Sequence, residues 1–237
     1  MKEEESGEEI GLNSYYENKI EINCVIFCFE DRNLKVLLVK NENDVMNASW
    51  RLPSASLERG ETILKTAQRI LKNYISEDDF FLEQLKAFGY HSSASFQESI
   101  SIGYYAMVRT EKEAMEEEGL KSDIIWIDVN NIVGLVDRYM IVIDFSIKEL
   151  RKNICCSAVG FNLLPEKFTL LQVIHLYEKI LGIEINKTNF RRKILQRRLV
   201  RGLAEKETGV SNRAAEFYSL NVSKDEVFWN AKFNFNF

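Results

Sequence analysis

The sequence has little proline, little glycine and no long apolar run. Two prolines and eleven glycines among 237 residues, with 46% hydrophobic and 28% charged residues, exclude a long disordered chain and predict a folded globular one. The longest apolar runs, such as residues 139–143, fall far short of the roughly 20 residues that span a bilayer. The N-terminus is acidic, unlike the basic start of a signal peptide. We therefore expect a cytoplasmic protein that does not bind a membrane.

Cysteine is also scarce, and its spacing matches no metal motif. The four cysteines are Cys24, Cys28, Cys155 and Cys156. None of their spacings is that of a zinc finger, and adjacent cysteines rarely close a disulfide without strain. We expect buried free thiols, no metal site and no cofactor.

The chain has a net negative charge outside one basic segment near the C-terminus. The chain carries a net charge of −5, yet residues 186–220 hold nine basic side chains against three acidic ones. A cationic segment on an otherwise acidic chain predicts that one local face binds a polyanion. These basic residues are Lys187, Arg191, Arg192, Lys193, Arg197, Arg198, Arg201, Lys206 and Arg213.

The hydrophobic pattern of the first 150 residues predicts a sheet with two helices. Short β-rich runs predict a hairpin and three further strands, and apolar residues at helical spacing predict the helices. The predicted strands are 22–29, 34–39, 85–90, 100–108 and 124–129, and the predicted helices are 62–74 and 137–152. The apolar stripe predicted for the second helix consists of Met140, Ile141, Phe145 and Leu150.

The C-terminal part has the outline of a helix-turn-helix. A capping-box pattern at Thr169 opens a predicted helix over 170–181, and Gly182 fits its C-cap. Asn186 fits the N-cap of a basic helix over 187–198. The residues of this helix predicted to pack inward are Phe190, Ile194 and Leu195.

Two strands after the basic helix are predicted to pair as a wing. Residues 200–205 and 214–220 flank a turn that contains glycine, serine and asparagine, as expected of a β-hairpin. The connector over 153–167 separates this part from the preceding helix. We predict the domain boundary there.

Residues 36–76 resemble the signature of the Nudix family: Gly, five residues, Glu, seven residues, Arg-Glu, an aliphatic, any residue, Glu-Glu, any residue and Gly. Glu61 and Arg69 match, but Ile70, Asn73 and Tyr74 replace the three metal-binding glutamates. In the family, such carboxylates hold divalent ions that neutralise a diphosphate and activate water. The resemblance therefore implies a Nudix-like fold without hydrolysis, in which Glu61 and Arg69 tie the loop to the helix.

The segments Gly160–Leu170, Tyr177–Gly182 and Asn189–Leu195 resemble the Nudix-related transcriptional regulator family. The resemblance implies an α+β chain. Its parts are a Nudix-like α/β/α sandwich domain over 1–152, a connector over 153–167 and a C-terminal winged helix-turn-helix domain over 168–237.

The same resemblance implies a ligand-responsive DNA-binding transcription regulator, expected to be a repressor and not an enzyme. Its partner is double-stranded operator DNA, and the symmetry of operators favours a homodimer. Basic and amide side chains at the start of a helix are the types that read bases and phosphates in a major groove. The residues expected to contact DNA are Lys187, Thr188, Asn189, Arg191, Arg192, Lys193, Arg197, Arg198 and Arg213.

The regulator family implies two classes of effector: nicotinamide-dinucleotide metabolites such as ADP-ribose, and pentose sugars. The sequence most resembles arabinose-responsive regulators of Bacteroides-type bacteria, and loss of the glutamates favours a neutral sugar. We expect L-arabinose, a signal in sugar catabolism, to release the repressor from DNA. Sensing of ADP-ribose or another NAD metabolite is the alternative, and an active Nudix hydrolase of nucleoside diphosphate derivatives is the second. Candidate effector contacts are Lys40, Arg51, Glu61, His91, Glu98 and Trp126.

Overall fold

Alternating side chains on strand β1 (Ile20–Glu30) face two different apolar layers. Ile22, Cys24 and Ile26 pack with helix α1 (Ile63–Lys72). Val25 and Phe27 pack in the layer that contains helix α2 (Asp137–Cys156). Because successive residues of a strand point to opposite faces, β1 is the centre of a three-layer sandwich with one helix on each side.

The computed structural model describes residues 20–41, 50–75, 80–91, 98–109, 123–207 and 214–221. The sandwich sheet has the strand order β3-β2-β1-β6-β5, with β4 paired to β1 and β7 paired to β2. β1 runs parallel to β6, and the other pairs are antiparallel. The remaining strands are β2 (Asn33–Lys40), β3 (Trp50–Arg51), β4 (Ser54–Ser56), β5 (Phe81–His91), β6 (Glu98–Met107) and β7 (Ile124–Asp128).

The β1–β2 hairpin confirms the first predicted strand pair. Asp31 and Arg32 link the strands with φ values of 49° and 62°. Two consecutive left-handed residues are typical of a type I′ turn, whose twist matches that of the paired strands. The hairpin therefore closes without glycine.

The apolar stripe predicted for α2 is confirmed at Leu150 and wrong at Ile141, whereas Met140 and Phe145 pack against the core in a half-buried state. Ile141 is 52% exposed. The hydrophobic pattern did not predict the burial of Tyr139 and Ser146. Ser146 can be buried because its hydroxyl donates to the carbonyl of Val142 at 2.7 Å. The buried residues are Tyr139, Val142, Ile143, Ser146, Leu150 and Ile154.

The C-terminal elements form a winged helix. A 3-10 helix (Val159–Leu163) precedes a three-stranded sheet in the order β8-β10-β9 and two helices. The elements are β8 (Phe168–Thr169), α3 (Leu170–Leu181), α4 (Lys187–Gln196), β9 (Val200–Lys206) and β10 (Glu216–Leu220). The wing turn and the residues after 221 lie outside the described residues.

The two domains share one continuous apolar core. Phe27 and Val36 of the sandwich belong to the same buried cluster as Phe161, Phe168 and Tyr177 of the winged helix. No helix among the described residues is long and apolar enough to cross a membrane.

Candidate DNA-binding helix and effector site

Three local caps position the basic helix α4. The Thr169 side chain accepts from the backbone N–H of Gln172, whose side chain accepts from the Thr169 N–H at 2.7 Å, so α3 begins with a capping box. Gly182 ends α3 with a φ of 69°, a conformation that glycine adopts at no steric cost. Asn186 then accepts from the Asn189 N–H at 2.9 Å and opens α4. The predicted helix-turn-helix is therefore confirmed at its caps.

One side of α4 packs into the core and the other carries cationic groups. Phe190 and Ile194 are buried as predicted. Lys187, Thr188 and Arg191 are exposed, as is Arg192, whose guanidinium donates to Oδ1 of the half-buried Asn189 at 2.9 Å. Leu195 was predicted to point inward, but it is 45% exposed, because it follows Ile194 around the helix and leaves the core-facing side.

The remaining predicted DNA contacts lie at the end of α4 or beyond it. Lys193 is half-buried in the last turn, and Arg197 is the C-cap. Arg198 has a φ of 53° and follows the helix, which ends two residues earlier than predicted. Arg213 lies outside the described residues. Arg197 and Arg198 are exposed, so the exposed cationic groups continue past the end of α4.

In the Nudix-like domain, Glu61 and Arg69 form a bidentate ion pair. Arg69 Nε donates to Glu61 Oε1 at 3.0 Å, and Nη2 donates to Oε2 at 2.8 Å. The Thr66 hydroxyl also donates to Glu61, and Arg69 reaches the carbonyl of Ser56. The pKa of Glu61 is lowered to about 2, chiefly by the hydrogen bonds from Arg69 and next by the hydrogen bond from Thr66. Glu61 thus ties loop to helix, and its oxygens already have partners.

The three positions that carry glutamates in Nudix hydrolases are built differently here. Ile70 is 1% exposed in the α1-side core. Asn73 is the C-cap of α1. Tyr74 follows it in a turn, and the backbone N–H of Tyr74 donates to the Leu71 carbonyl. Within the described ranges, no group of three or more His, Cys, Asp or Glu residues is placed to hold a metal ion.

The structure describes the side chains of four of the six predicted effector contacts, and these four have different partners. At the exposed end of β2, Lys40 Nζ lies 3.5 Å from Asp123 Oδ1. Trp126 lies on the α1 side of the sheet, where its Nε1 is buried without a partner among the described residues. Glu61 is held by Arg69. His91 and Glu98 pair through their backbones at the end of the β5–β6 hairpin, but their side chains lie outside what the structure describes.

Arg51 is the candidate whose guanidinium meets other polar groups of the sheet. Its Nη1 donates to Ser54 Oγ at 3.1 Å and to the Leu52 carbonyl at 3.3 Å. Ser54 pairs with Asn23 of β1, a buried residue that sequence reasoning passed over. Its signal was one amide within the apolar strand Ile22–Phe29, a position where a polar residue needs a partner or a function.

Residues 160–220 match the family described as the NrtR DNA-binding winged helix domain. Over these residues the chain is similar to the winged helix of NrtR. A Nudix-like α/β domain precedes an NrtR-type winged helix, which confirms the predicted α+β fold class and the resemblance to Nudix-related transcriptional regulators. Closeness to the arabinose-responsive group gains no support.

Two relatives carry this comparison beyond the winged helix. NrtR of Shewanella oneidensis, in a crystal structure with a 27mer DNA, is 26% identical over 92% of this chain and 97% of its own, with a TM-score of 0.78. The ADPR responsive transcriptional repressor NtrR of Acinetobacter baylyi is 22% identical over 74% of this chain and 71% of its own length.

A third similarity concerns the fold alone. A MutT/nudix family protein from Enterococcus faecalis superimposes with a TM-score of 0.62 at 18% identity, covering 88% of each chain.

Proposed function

We propose that this protein is a DNA-binding transcription repressor whose Nudix-like domain binds a small effector and does not hydrolyse it. The observation that carries the proposal is the exposed, capped helix α4 within a winged helix that resembles a DNA-bound NrtR. Its cationic groups supply the phosphate and base contacts that a recognition helix needs. Operator symmetry supports a homodimer as the binding species.

ADP-ribose or a closely related nucleotide is the favoured effector. The support is the ADPR-responsive repressor of Acinetobacter baylyi, which is similar to this chain over both domains. The comparisons therefore favour the alternative effector over arabinose. In this proposal ADP-ribose binds without turnover, because Ile70, Asn73 and Tyr74 offer no carboxylate to hold the metal ions of a Nudix hydrolase.

L-Arabinose is the second candidate effector. The observation in its favour is the same loss of carboxylates, because without bound cations the charge of a diphosphate must be balanced by the protein alone. A pentose needs hydrogen-bonding groups in a partly apolar site. Under this alternative the regulated genes belong to sugar catabolism.

The experiment begins with selection of bound duplexes from a random DNA library, which defines the operator for the full-length protein. Operator affinity is then measured by fluorescence anisotropy with ADP-ribose, L-arabinose or neither, and calorimetry measures the binding of each effector. We expect one effector to bind and to weaken operator affinity. Failure to enrich any duplex would contradict the DNA-binding proposal, and tighter operator binding would reverse the sign of the response.

Hydrolysis is tested separately. With Mg²⁺ or Mn²⁺ and ADP-ribose, we expect no product above a protein-free blank, because the positions that would hold the ions carry no carboxylates. A known Nudix hydrolase in the same assay is the positive control. Metal-dependent cleavage well above the blank would favour the hydrolase alternative.

A further inference from the structure

A buried side chain of the Nudix-like sheet lacks the hydrogen bonds that its chemistry requires. Asn23 is 1% exposed, and neither its Nδ2 nor its Oδ1 has a partner in the described part of the chain. An amide carries two donors and an acceptor with two lone pairs, and buried polar groups in native proteins are nearly always satisfied. The orphaned amide therefore suggests a missing partner, and a ligand can supply it.

Strand alternation places Asn23 on the α2 side of the sheet. Its neighbours Ile22 and Cys24 belong to the α1-side core, whereas Val25 belongs to the core on the α2 side. Across the sheet Asn23 lies between Ser54 of β4 and Gly103 of β6. Asn23 thus stands where the apolar layer between sheet and α2 ends.

The rest of this end of the sheet is polar as well. Glu21 pairs with Ser101 in the neighbouring strand, and the Ser101 hydroxyl donates to Tyr90 at 3.4 Å. The Tyr90 hydroxyl donates in turn to the carbonyl of Arg138 in the first turn of α2 at 3.1 Å. The sheet and the start of α2 are therefore linked by hydroxyl groups at this point.

Two arginines and a tyrosine flank the same region. Arg138 donates to the Tyr139 hydroxyl at 2.6 Å, and Tyr139 is only 3% exposed. Burial raises the pKa of Tyr139, and among the smaller effects the charge of Glu21 raises it further while the charge of Arg51 lowers it. We call this group the polar end: Asn23, Arg51, Ser54, Ser101, Arg138 and Tyr139.

We propose that the polar end binds the pentose ring of the effector, with the Asn23 amide as its central hydrogen-bonding group. The inference rests on the proposed function and assigns a place and a chemistry to its effector. An amide that both donates and accepts, beside two serine hydroxyls, matches adjacent hydroxyls on a sugar ring. A free pentose and the ribose of a nucleotide share this chemistry, and the flanking guanidinium groups suit the phosphates of a nucleotide.

Because Asn23 is enclosed, part of the protein must move before a ligand can contact it. No solvent reaches its amide atoms, so a ligand can contact them only if Arg51 or the first turn of α2 moves. The other end of α2 contacts the winged helix, where Arg151 Nε donates to the carbonyl of Ile180 at 2.7 Å. Ligand entry at the polar end therefore acts on a helix that also contacts the DNA-binding domain.

The test compares Asn23→Leu with Asn153→Leu in the full-length protein. Asn153 lies at the opposite end of α2, and its Nδ2 donates to Glu83 and Tyr105. Calorimetry measures the affinity for L-arabinose and for ADP-ribose, and thermal unfolding measures stability. For Asn23→Leu we expect at least tenfold weaker effector binding and no lower Tm, because leucine removes two unsatisfied atoms. Asn153→Leu should lower the Tm and bind effector as the wild type does.

The outcomes distinguish a failure of the proposed pocket from a failure of the proposed function. Weakened binding of L-arabinose identifies a free pentose, and weakened binding of ADP-ribose identifies a nucleotide. If Asn23→Leu fails to fold, Asn23→Ser is judged by the same tenfold criterion. Effector affinity within twofold of wild type overturns the pocket and leaves the proposed function standing. A wild-type protein that binds operator but neither effector overturns the pentose assignment, and one that binds no operator overturns the repressor itself.

Discussion

At the scale of single residues, the retained parts of the Nudix signature act as a structural tie. Glu61 receives two hydrogen bonds from Arg69 and one from Thr66. These bonds favour the charged carboxylate and lower its pKa from 4.5 to about 2. Glu61 thus contributes to stability that depends on its ionisation, although three glutamates of the signature are replaced.

Replacing Glu61 by Gln should lower the Tm, and the loss should depend on pH. The pKa of Glu61 is depressed in the folded state, so its stabilisation is fully present above the unfolded pKa of 4.5. It is lost as the pH falls through about 2. The Tm difference between wild type and Glu61→Gln, measured by calorimetry, should therefore be large at pH 7 and shrink between pH 4.5 and 2.

Glu58→Gln is the matched control, because Glu58 approaches the same Arg69 at 3.3 Å but is largely exposed. We expect this variant to melt close to the wild type, since exposed ion pairs contribute little. An equal Tm loss in Glu61→Gln at pH 7 and pH 2.5 would show that the carboxylate charge is not the cause.

At the scale of secondary-structure elements, α4 is the helix that we propose contacts DNA. Replacing both Arg191 and Arg192 by Ala should weaken operator binding while the fold survives, because both side chains are exposed. A bidentate contact to guanine discriminates by about 1–3 kcal/mol. For every phosphate that the variant no longer neutralises, the slope of log affinity against log salt should flatten by about 0.9. Anisotropy titrations at several salt concentrations measure both effects.

The control for that variant removes the same charge elsewhere. Arg59 and Lys65 are exposed around the start of α1, so the double change to Ala also lowers the net charge by two. We expect it to leave operator affinity and the salt slope nearly unchanged. If Arg191→Ala with Arg192→Ala behaves like this control, the DNA contact must be reassigned to another surface, such as the wing.

At the scale of the whole molecule, the two domains are joined by apolar packing and by polar contacts. Lys179 Nζ of α3 lies 3.4 Å from Asp128 Oδ2 at the end of β7. Arg151 Nε of α2 donates to the carbonyl of Ile180 near the end of α3. A cleft of about 410 Å³ lies between the β1–β2 turn and α3, where Arg32 and His175 are among its lining residues. The Nudix-like domain and the winged helix therefore meet over an extensive shared surface.

This shared core predicts one cooperative unfolding unit. The amides of β1 and α3 should exchange hydrogen through openings of similar free energy, because unfolding either domain exposes apolar surface of the other. Hydrogen exchange followed by mass spectrometry at increasing denaturant measures this for peptides from both elements. Exchange in α3 at clearly lower denaturant than in β1 would mean that the winged helix opens alone.

The features that the sequence determined are the local ones. Thr169, Gly182 and Asn186 act on backbone groups within four residues, so their caps could be predicted before any packing was known. The β1–β2 hairpin likewise follows from a short repeating pattern. The identity of Ile70, Asn73 and Tyr74 was also sufficient to predict the loss of the metal ligands.

Only the tertiary structure decided which residues of distant elements lie at the same end of the sheet. Asn23, Ser54, Ser101 and Tyr139 come from three strands and a helix that are far apart in sequence, so no spacing rule could bring them together. The same limit explains why Trp126 was grouped with Arg51, although Trp126 packs on the α1 side and the Arg51 guanidinium contacts Ser54. Strand order and helix placement are set by long-range burial of apolar faces, and a local pattern does not carry that information.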